Sequence, residues 1–256
     1  MNLFSVPIIT YHQIVSDDRP SDPWHLTVSV RQFERQIRFL HEKDFHCISL
    51  AELLSPSQNG QPRRRKRAIL TFDDGYENFL TVAYPILHRH GFTATVFLIS
   101  DCVGKRSDRE FETGVPFLKW DQIKLLHKEG VSFGSHTCTH PDLPRISEGQ
   151  VWHELVSSKE RIEDQLGEQV RFFAYPHGHS NSKIQRLAKA AGYKLACGMS
   201  RGRSSRFNLW RTLRHTGESQ ARFMFDLTKW PYYARLFREQ TVVGQFIRAA
   251  KHKINQ

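Results

Sequence analysis

Several features that are common in other proteins are scarce or missing in this chain of 256 residues. No run of about 18 apolar residues occurs, so we expect no membrane-spanning helix. The four cysteines are widely spaced and form no C-x-x-C pair, which is typical of reduced thiols rather than of a disulfide framework. Residues 1–10 have no basic lead and too short an apolar stretch for an export signal, so we expect a cytoplasmic protein.

Acidic side chains are outnumbered by basic ones. The chain has 37 Lys and Arg against 26 Asp and Glu, a formal net charge of +11 at pH 7. Such a charge favours an anionic substrate or an anionic surface. The basic residues are dispersed apart from the run at 63–67, and no known nucleic-acid-binding motif accompanies them, so we do not expect a nucleic acid as the partner.

What the sequence does contain is a regular alternation of strand-like and helix-like segments. Residues 29–41 carry apolar side chains at helical spacing behind a Ser29-x-x-Gln32 capping box, and 46–50 has the pattern of a strand. The later predicted helices are 76–90, 121–129, 148–166 and 181–191, and the later predicted strands are 92–99, 171–175 and 193–199. Alternation of this kind indicates a parallel sheet in one sizeable α/β domain.

Two adjacent carboxylates end one of the strand-like runs. The string TFDDGY at 71–76 follows apolar residues, so Asp73 and Asp74 lie at the C-terminal end of a predicted strand. Gly75 breaks the strand, and a turn there lets both carboxylates reach one cavity in different directions. One of them could bind a metal ion while the other takes a proton.

A histidine pair follows a second strand-like run. In SHTCTH at 135–140, His136 and His140 are four residues apart and would share one face of a helical turn, which Pro141 must end. Two imidazoles and one carboxylate bind a divalent ion and leave positions open for water and substrate, the composition of a catalytic site. Cys138 lies between the histidines and is predicted to point away from the metal.

Both strings match motifs of a known family. The chain resembles the polysaccharide deacetylase family, also called the NodB-homology or carbohydrate esterase 4 family, in TFDDG and HTCTH. FAYPHG at 173–178 resembles the third motif of its FAYPxG branch, and IITYH at 8–12 resembles the first strand of that branch. The resemblance covers about residues 5–215. It implies a distorted, incomplete (β/α) barrel of seven strands with a C-terminal helical extension, which removes N-acetyl groups from the amino sugars of a glycan or a lipid-linked saccharide.

The resemblance also implies a role for each motif residue. Asp73 would be the general base that activates the attacking water. Asp74, His136 and His140 would hold a divalent metal, with zinc as the default ion. Contacts with the substrate and the oxyanion are assigned to the third motif and one later arginine: Tyr175, Pro176, His177, Gly178 and Arg214.

The chain departs from the commoner family pattern at two points. Ala174 stands where many members have an Arg that steadies the catalytic base, and Arg211 and Arg214 are the candidates to replace it. TLRH at 212–215 only loosely resembles the family's last motif, which makes His215 a candidate general acid. Three other histidines are alternatives for the acid: His12, His177 and His179.

The sequence also predicts a domain boundary and two loop segments. Residues 1–218 are predicted to form the catalytic domain, and 219–256 a basic amphipathic helical tail that packs on it. Contact of the tail with a membrane surface and binding of a partner are the alternatives. The segment 55–67 is predicted to be a solvated loop. The segment 102–116 could form a wall of the substrate groove.

Alternative functions remain open at this level. The same fold and metal could hydrolyse a small amide or a cyclic imide, and two His with one Asp could also serve an iron oxygenase. The charge would also fit a protein that binds an anionic glycan or a nucleic acid without catalysis. Because each deacetylation adds a cationic amine, the net charge favours a glycan that carries phosphate or uronic acid, or one presented on a lipid at a membrane.

Overall fold

The structure describes most of the chain. The computed structural model describes residues 6–16, 25–54, 66–108, 114–199 and 205–228. Most of the predicted loop at 55–67, the centre of the 102–116 segment and the tail beyond residue 228 lie outside these residues. Among the described residues no helix combines the length and the apolar character needed to span a bilayer.

Short parallel strands form the centre of the described fold. Several of them are buried along their whole length, which explains their apolar, β-branched and aromatic composition. In chain order they are β1 (Ile8–Tyr11), β2 (Gln13–Val15), β3 (Thr27–Ser29), β4 (Phe45–Cys47), β5 (Lys66–Phe72), β6 (Thr95–Leu98), β7 (Ser132–Ser135), β8 (Phe172–Ala174), β9 (Leu195–Gly198), β10 (Leu209–Trp210) and β11 (Thr212–Leu213).

One continuous segment of the chain brings the two edges of the main sheet together in a nearly closed barrel. Its order is β10-β9-β8-β7-β6-β5-β1-β11, with β4 beside the first part of β5, while β2 and β3 pair separately. The edge strands β10 and β11 are consecutive in sequence, and Arg211 alone separates them. One extended segment therefore pairs with β9 at one edge and with β1 at the other. Counted as one strand, this segment completes the seven-stranded barrel that the resemblance implied.

Alternate residues of the strands face two different cores, as the two-residue period of a strand requires. One row fills the barrel interior: Ile8, Ile69, Phe97, Phe172 and Leu195. The adjacent row packs against the helices: Ile9, Leu70, Val96, Phe173 and Ala196. At Gly134 a Cβ would lie 2.7 Å from the Phe97 ring and 2.8 Å from the carbonyl oxygen of Phe172, so the absence of a side chain makes room for Phe97.

Helices cover the outside of the barrel. The helix predicted at 148–166 is confirmed, with a capping box between Ser147 and Gln150 and an end at Gly167, whose φ is 71°. Ser29 caps the first helix through the backbone N–H of Gln32, as predicted. The α-helices are α1 (Val30–Glu42), α2 (Leu50–Leu54), α3 (Tyr84–Arg89), α4 (Trp120–Lys128), α5 (Glu148–Leu166), α6 (Ser182–Ala190) and α7 (Gln220–Asp226).

Two predicted elements differ from the structure. The strand predicted at 46–50 ends at Cys47, because Ser49 and Glu52 exchange capping hydrogen bonds that start α2. The helix predicted at 76–90 begins with a π-helical turn at Phe79–Ala83 and becomes α-helical only at Tyr84. Pro85 lacks the N–H that an α-helix would direct one turn back, and the wider turn precedes it.

Candidate active site

The turn after β5 separates the two carboxylates. The Asp73 N–H donates to the Tyr11 carbonyl at 2.9 Å, so Asp73 still belongs to the edge of the sheet. Asp74 then takes a left-handed φ of 72° and Gly75 one of 79°. A Cβ on Gly75 would lie 2.7 Å from Leu98 Cδ2, so the turn requires glycine there both for its φ and for the close approach. Because of this turn, the two aspartates point to different partners.

Asp74 faces the histidine pair. Its Oδ1 lies 3.5 Å from His136 Nε2 and 3.6 Å from His140 Nε2, and the ligand atoms of the three residues lie within 4.8 Å of one another. His136 Nδ1 donates to the Ala174 carbonyl at 2.8 Å, which leaves Nε2 to face Asp74. Burial lowers the pKa of His136 below its ordinary value, although the nearby aspartates oppose the change. The imidazole is therefore neutral and can act as a ligand.

Two of the three separations between these ligand atoms fit a tetrahedral divalent ion. Ligand bonds of about 2.0 to 2.2 Å at tetrahedral angles place neighbouring ligand atoms about 3.4 Å apart. The two measured separations from Asp74 Oδ1 are 3.5 and 3.6 Å. One carboxylate and two imidazoles also match the donors that zinc and similar ions prefer. The site can thus hold a divalent metal.

The histidines do not meet through the predicted helical turn, and that expectation was wrong. Residues 136–140 form an irregular loop in which Thr137 and His140 have left-handed φ values of 72° and 64°. The loop reverses on itself and brings the two imidazole centroids to 4.8 Å. Cys138 is buried in this loop outside the ligand cluster, and burial raises the pKa of its thiol to about 11. It is not among the residues whose ligand atoms come together in this cluster.

Asp73 faces a buried arginine. Both of its carboxylate oxygens accept hydrogen bonds from Arg211, each at 2.7 Å, and both side chains are almost fully buried. Burial raises the pKa of the Asp73 carboxyl, but the guanidinium offsets this effect and holds that pKa below its ordinary value. The Arg211 guanidinium also lies 5.5 Å from the centroid of the Phe97 ring inside the barrel. Asp73 is thus ionised and fixed in direction.

Comparison with other proteins decides the family. The sequence model of the polysaccharide deacetylases matches residues 60–196, more than half of the chain. The chain belongs to the polysaccharide deacetylase family. The predicted family, the barrel fold and the enzyme class, a deacetylating hydrolase, are confirmed.

Relatives and solved structures agree with this family. YxkH of Bacillus subtilis is 29% identical over 202 residues, 78% of this chain and 67% of that protein. The poly-β-1,6-N-acetyl-D-glucosamine N-deacetylase of Staphylococcus aureus is 28% identical over 177 residues, 66% of this chain and 59% of the relative. The enzyme of that name from Escherichia coli is 26% identical over 136 residues, 50% of this chain but 20% of its own length. The chain therefore spans less than two thirds of either N-deacetylase.

Two solved deacetylases share the fold over most of this chain. A Streptococcus pyogenes deacetylase in complex with acetate is 27% identical with a TM-score of 0.72, and the match covers 87% of this chain and 97% of that one. A polysaccharide deacetylase from Bacillus cereus is 27% identical with a TM-score of 0.71, over 87% of this chain and 69% of its own.

The prediction for Arg214 as a substrate contact needs correction. Its side chain is 1% exposed, and it forms ion pairs with Asp226 Oδ2 at 2.5 Å and Glu218 Oε2 at 2.9 Å. Asp226 lies at the end of α7, where Phe223 also packs against Phe39 of α1. Arg214 thus anchors α7 to the barrel, and of the two candidate arginines only Arg211 contacts the proposed base.

The third motif divides into buried and exposed members. Tyr175, Pro176 and Gly178 are buried. The Tyr175 hydroxyl donates to the Phe207 carbonyl at 2.9 Å, and the N–H groups of Tyr175 and Gly178 donate to carbonyls of Cys197 and Tyr175. Proline has no N–H, and the other two N–H groups donate within the protein in this structure, so a role for these three residues at the oxyanion stays a prediction.

His177 is the exposed member of that motif. It has a left-handed φ of 58°, and its ring centroid lies 4.7 Å from that of His140. Gly178 follows it with a φ of 70°, where a Cβ would lie 2.2 Å from the Met199 side chain. Left-handed conformations of residues other than glycine cost energy and often mark functional sites. His177 therefore remains the member of this motif predicted to contact the substrate.

The candidate acids occupy different surroundings. His12 Nε2 lies 3.9 Å from Asp73 Oδ2, and His12 Nδ1 is buried with no hydrogen-bond partner among the described residues. His215 instead has its Nδ1 3.0 Å from the Thr216 carbonyl and its ring 5.0 Å from that of His25. His179 is mostly exposed and pairs with Asp142 at 3.1 Å. Of these histidines, the structure places His12 beside the base.

Glu154 lies near the site but was not among the site residues predicted from the sequence. Glu154 lies on the buried face of α5, between Val151 and Ser158, and contacts the histidine loop. It belongs to no family motif. The available signal was an acidic residue on the apolar face of a predicted helix, because such a side chain is rarely buried without a partner.

Proposed function

We propose that this protein hydrolyses the N-acetyl groups of an amino-sugar glycan with the help of a divalent metal, most suitably zinc. The observation that carries the proposal is the separation of the two adjacent carboxylates. Asp73 is held ionised by Arg211, while Asp74 forms a ligand cluster with His136 and His140. The names of the Staphylococcus aureus and Escherichia coli relatives support poly-β-1,6-N-acetyl-D-glucosamine as the first substrate class to test.

In the proposed mechanism Asp73 is the general base. It takes a proton from the water that attacks the acetyl carbonyl, and its bidentate contact with Arg211 fixes the direction of the accepting oxygens. A divalent ion held by Asp74, His136 and His140 would polarise the carbonyl and lower the pKa of the attacking water. The exposed His177, beside His140, would contact the sugar or the acetyl group.

We assign the general acid to His12 rather than to His215. The amine leaving group must receive a proton, and the acid must lie near the base across the reacting carbon. His12 lies 3.9 Å from Asp73 at the end of β1, whereas His215 packs against His25. The family's last motif does not assign the acid to His215, because TLRH at 212–215 matches that motif only loosely.

Exchange of each histidine for glutamine tests this assignment. We expect His12→Gln to lower kcat on an N-acetylated sugar by about 10²- to 10⁴-fold, the usual contribution of general acid catalysis. On 4-nitrophenyl acetate, whose leaving group needs no proton, the same variant should lose much less activity. His215→Gln should stay within a few-fold of the parent on both substrates. A larger loss in His215→Gln on the sugar would restore His215 as the acid.

The positive charge supports finer proposals about the substrate and the location. We propose that the glycan is anionic or lipid-linked, because the formal net charge of +11 would repel a neutral polymer as its amines are exposed. A lipid-linked substrate would bring the protein from the cytoplasm to the surface of a membrane. The four cysteines are free thiols, which supports a reducing compartment.

The decisive experiment measures acetate release with defined glycans. The panel contains β-1,6- and β-1,4-linked N-acetylglucosamine oligomers and an anionic N-acetylated glycan, each at low and high salt. We expect release from at least one of them, its loss with a chelator and its return with zinc. Asp74→Asn should remain inactive after zinc is added. A metal-loaded parent that releases acetate from none of these glycans would overturn the proposed function, and equal, salt-independent rates on all would overturn the anionic substrate.

A further inference from the structure

Glu154 holds the middle of the histidine loop from the neighbouring helix. Its Oε2 accepts hydrogen bonds from the backbone N–H groups of Cys138 at 2.7 Å and Thr139 at 3.0 Å. Its Oε1 accepts a third bond from Thr139 Oγ1 at 2.7 Å. The residue is 7% exposed, so water does not compete strongly for these bonds. All three donors lie between the two metal-ligating histidines.

The same helix also holds the loop on the other side of His136. Ser158, one turn after Glu154, has its Oγ 2.7 Å from Ser135 Oγ. Ser135 Oγ in turn accepts a hydrogen bond from the Thr137 N–H at 3.2 Å. One face of α5 therefore fixes the chain immediately before and immediately after His136.

The loop needs such support because it is not a regular element. It lacks helical hydrogen bonds, and Thr137 and His140 have left-handed φ values that favour glycine. Helix α5 is 19 residues long and is capped at both ends, which makes it a rigid support. Metal affinity depends on ligands that are held in position before the ion binds. Residues that hydrogen-bond to the ligands or to their backbone hold them in that position.

We propose that Glu154 is a positioning residue for the metal site, which fixes the separation of His136 and His140 through the backbone of residues 138 and 139. Its carboxylate binds the loop and is not among the ligand atoms of the cluster. The inference rests on the metal site of the proposed function and does not depend on which glycan is the substrate. Its test is therefore a metal-binding measurement without substrate.

The test compares three variants with the parent by competition for zinc against a chelator. We expect Glu154→Met, which removes both oxygens that accept the three hydrogen bonds, to weaken zinc binding by about 10- to 100-fold. Glu154→Gln should lose less, because its amide oxygen can accept from both N–H groups while its amide donates to Thr139 Oγ1. Glu163→Met is the matched control on the same helix. Glu163 accepts a hydrogen bond from the Val170 N–H at 2.8 Å, away from the histidine loop, so its loss should leave zinc affinity within about twofold of the parent.

A second readout separates positioning from a general loss of structure. Circular dichroism and the unfolding midpoint of the metal-free proteins report folding. Deacetylation as a function of added zinc should show the same shift in zinc requirement as the binding constant, with kcat at saturating zinc within several-fold of the parent. A variant that had only lost stability would keep its zinc requirement.

The outcomes distinguish this inference from the proposed function. A parent that binds no divalent ion would overturn the metal site itself, and the inference with it. A parent that binds zinc together with a Glu154→Met variant that binds it equally well would overturn the inference alone, as would an equal loss in Glu163→Met. If Glu154→Met does not fold, Thr139→Val and Glu154→Gln take its place, and parental zinc affinity in both would overturn the inference.

Discussion

Replacement of Asp73 by asparagine should reduce kcat by about 10²- to 10⁴-fold while zinc binding is retained. Asparagine has almost the same shape as aspartate but cannot accept the proton of the attacking water. The ligand cluster contains Asp74 and the two histidines and not Asp73, so the metal should stay. Measurement of acetate release at saturating substrate, beside the zinc content of the same samples, checks both parts.

Asp74→Asn is the natural comparison for this variant. It removes the same charge one residue away, and we expect it to lose the metal as well as the activity. An Asp73→Asn enzyme that kept more than a tenth of the parental kcat would show that another group is the base. The unfolding midpoint of both proteins should be recorded, because Asp73→Asn also leaves Arg211 without its carboxylate.

Replacement of Arg211 by methionine should affect both stability and the pH dependence of the reaction. Removal of one partner from a buried ion pair costs about 3 to 5 kcal/mol of unfolding free energy, because the other charge is left without compensation. Burial raises the pKa of Asp73 and Arg211 opposes that rise. Without the guanidinium the carboxyl should be protonated up to a higher pH, so the acidic limb of the profile of kcat/KM should move to higher pH.

Arg214→Met is a matched control for this prediction. Arg214 is as deeply buried as Arg211 and is also paired with carboxylates, but with Asp226 and Glu218 rather than with Asp73. We expect a loss of stability on denaturant unfolding without a shift of the pH profile. Arg211→Lys should fall between Arg211→Met and the parent, because lysine keeps the charge but cannot form the bidentate contact. A pH profile in Arg211→Met identical to that of the parent would show that Arg211 does not set the pKa of the base.

Much of the fold was accessible from local pattern. The helix at 148–166 has both a capping box and a terminal glycine, and its limits were predicted to the residue. Predictions failed where two local signals competed. Ser49 and Glu52 form a capping box that ends a strand-like run early, and the region before Pro85 winds as a π-helix. The helical turn predicted at 136–140 was wrong for a different reason. A spacing of four residues brings two side chains together in a helix, but an irregular loop can bring them together as well.

The sequence by itself determined the family, the barrel and the residues of the proposed metal cluster. All three follow from the short motifs TFDDG and HTCTH, each of which follows a buried strand. It could not choose between Arg211 and Arg214. They are three residues apart in an extended segment and therefore face opposite sides of the sheet. Arg211 faces the barrel interior and reaches Asp73, while Arg214 faces α7.

Only the tertiary structure decided which distant groups meet at the site. Asp73 and Arg211 are 138 residues apart, and they meet because the segment through Arg211 closes the barrel between β9 and β1. Glu154 reaches the histidine loop because α5 packs beside β7, and His12 reaches Asp73 because β1 pairs with β5. Local sequence patterns fix the period and the ends of elements, whereas such contacts depend on strand order and on the direction in which each side chain faces.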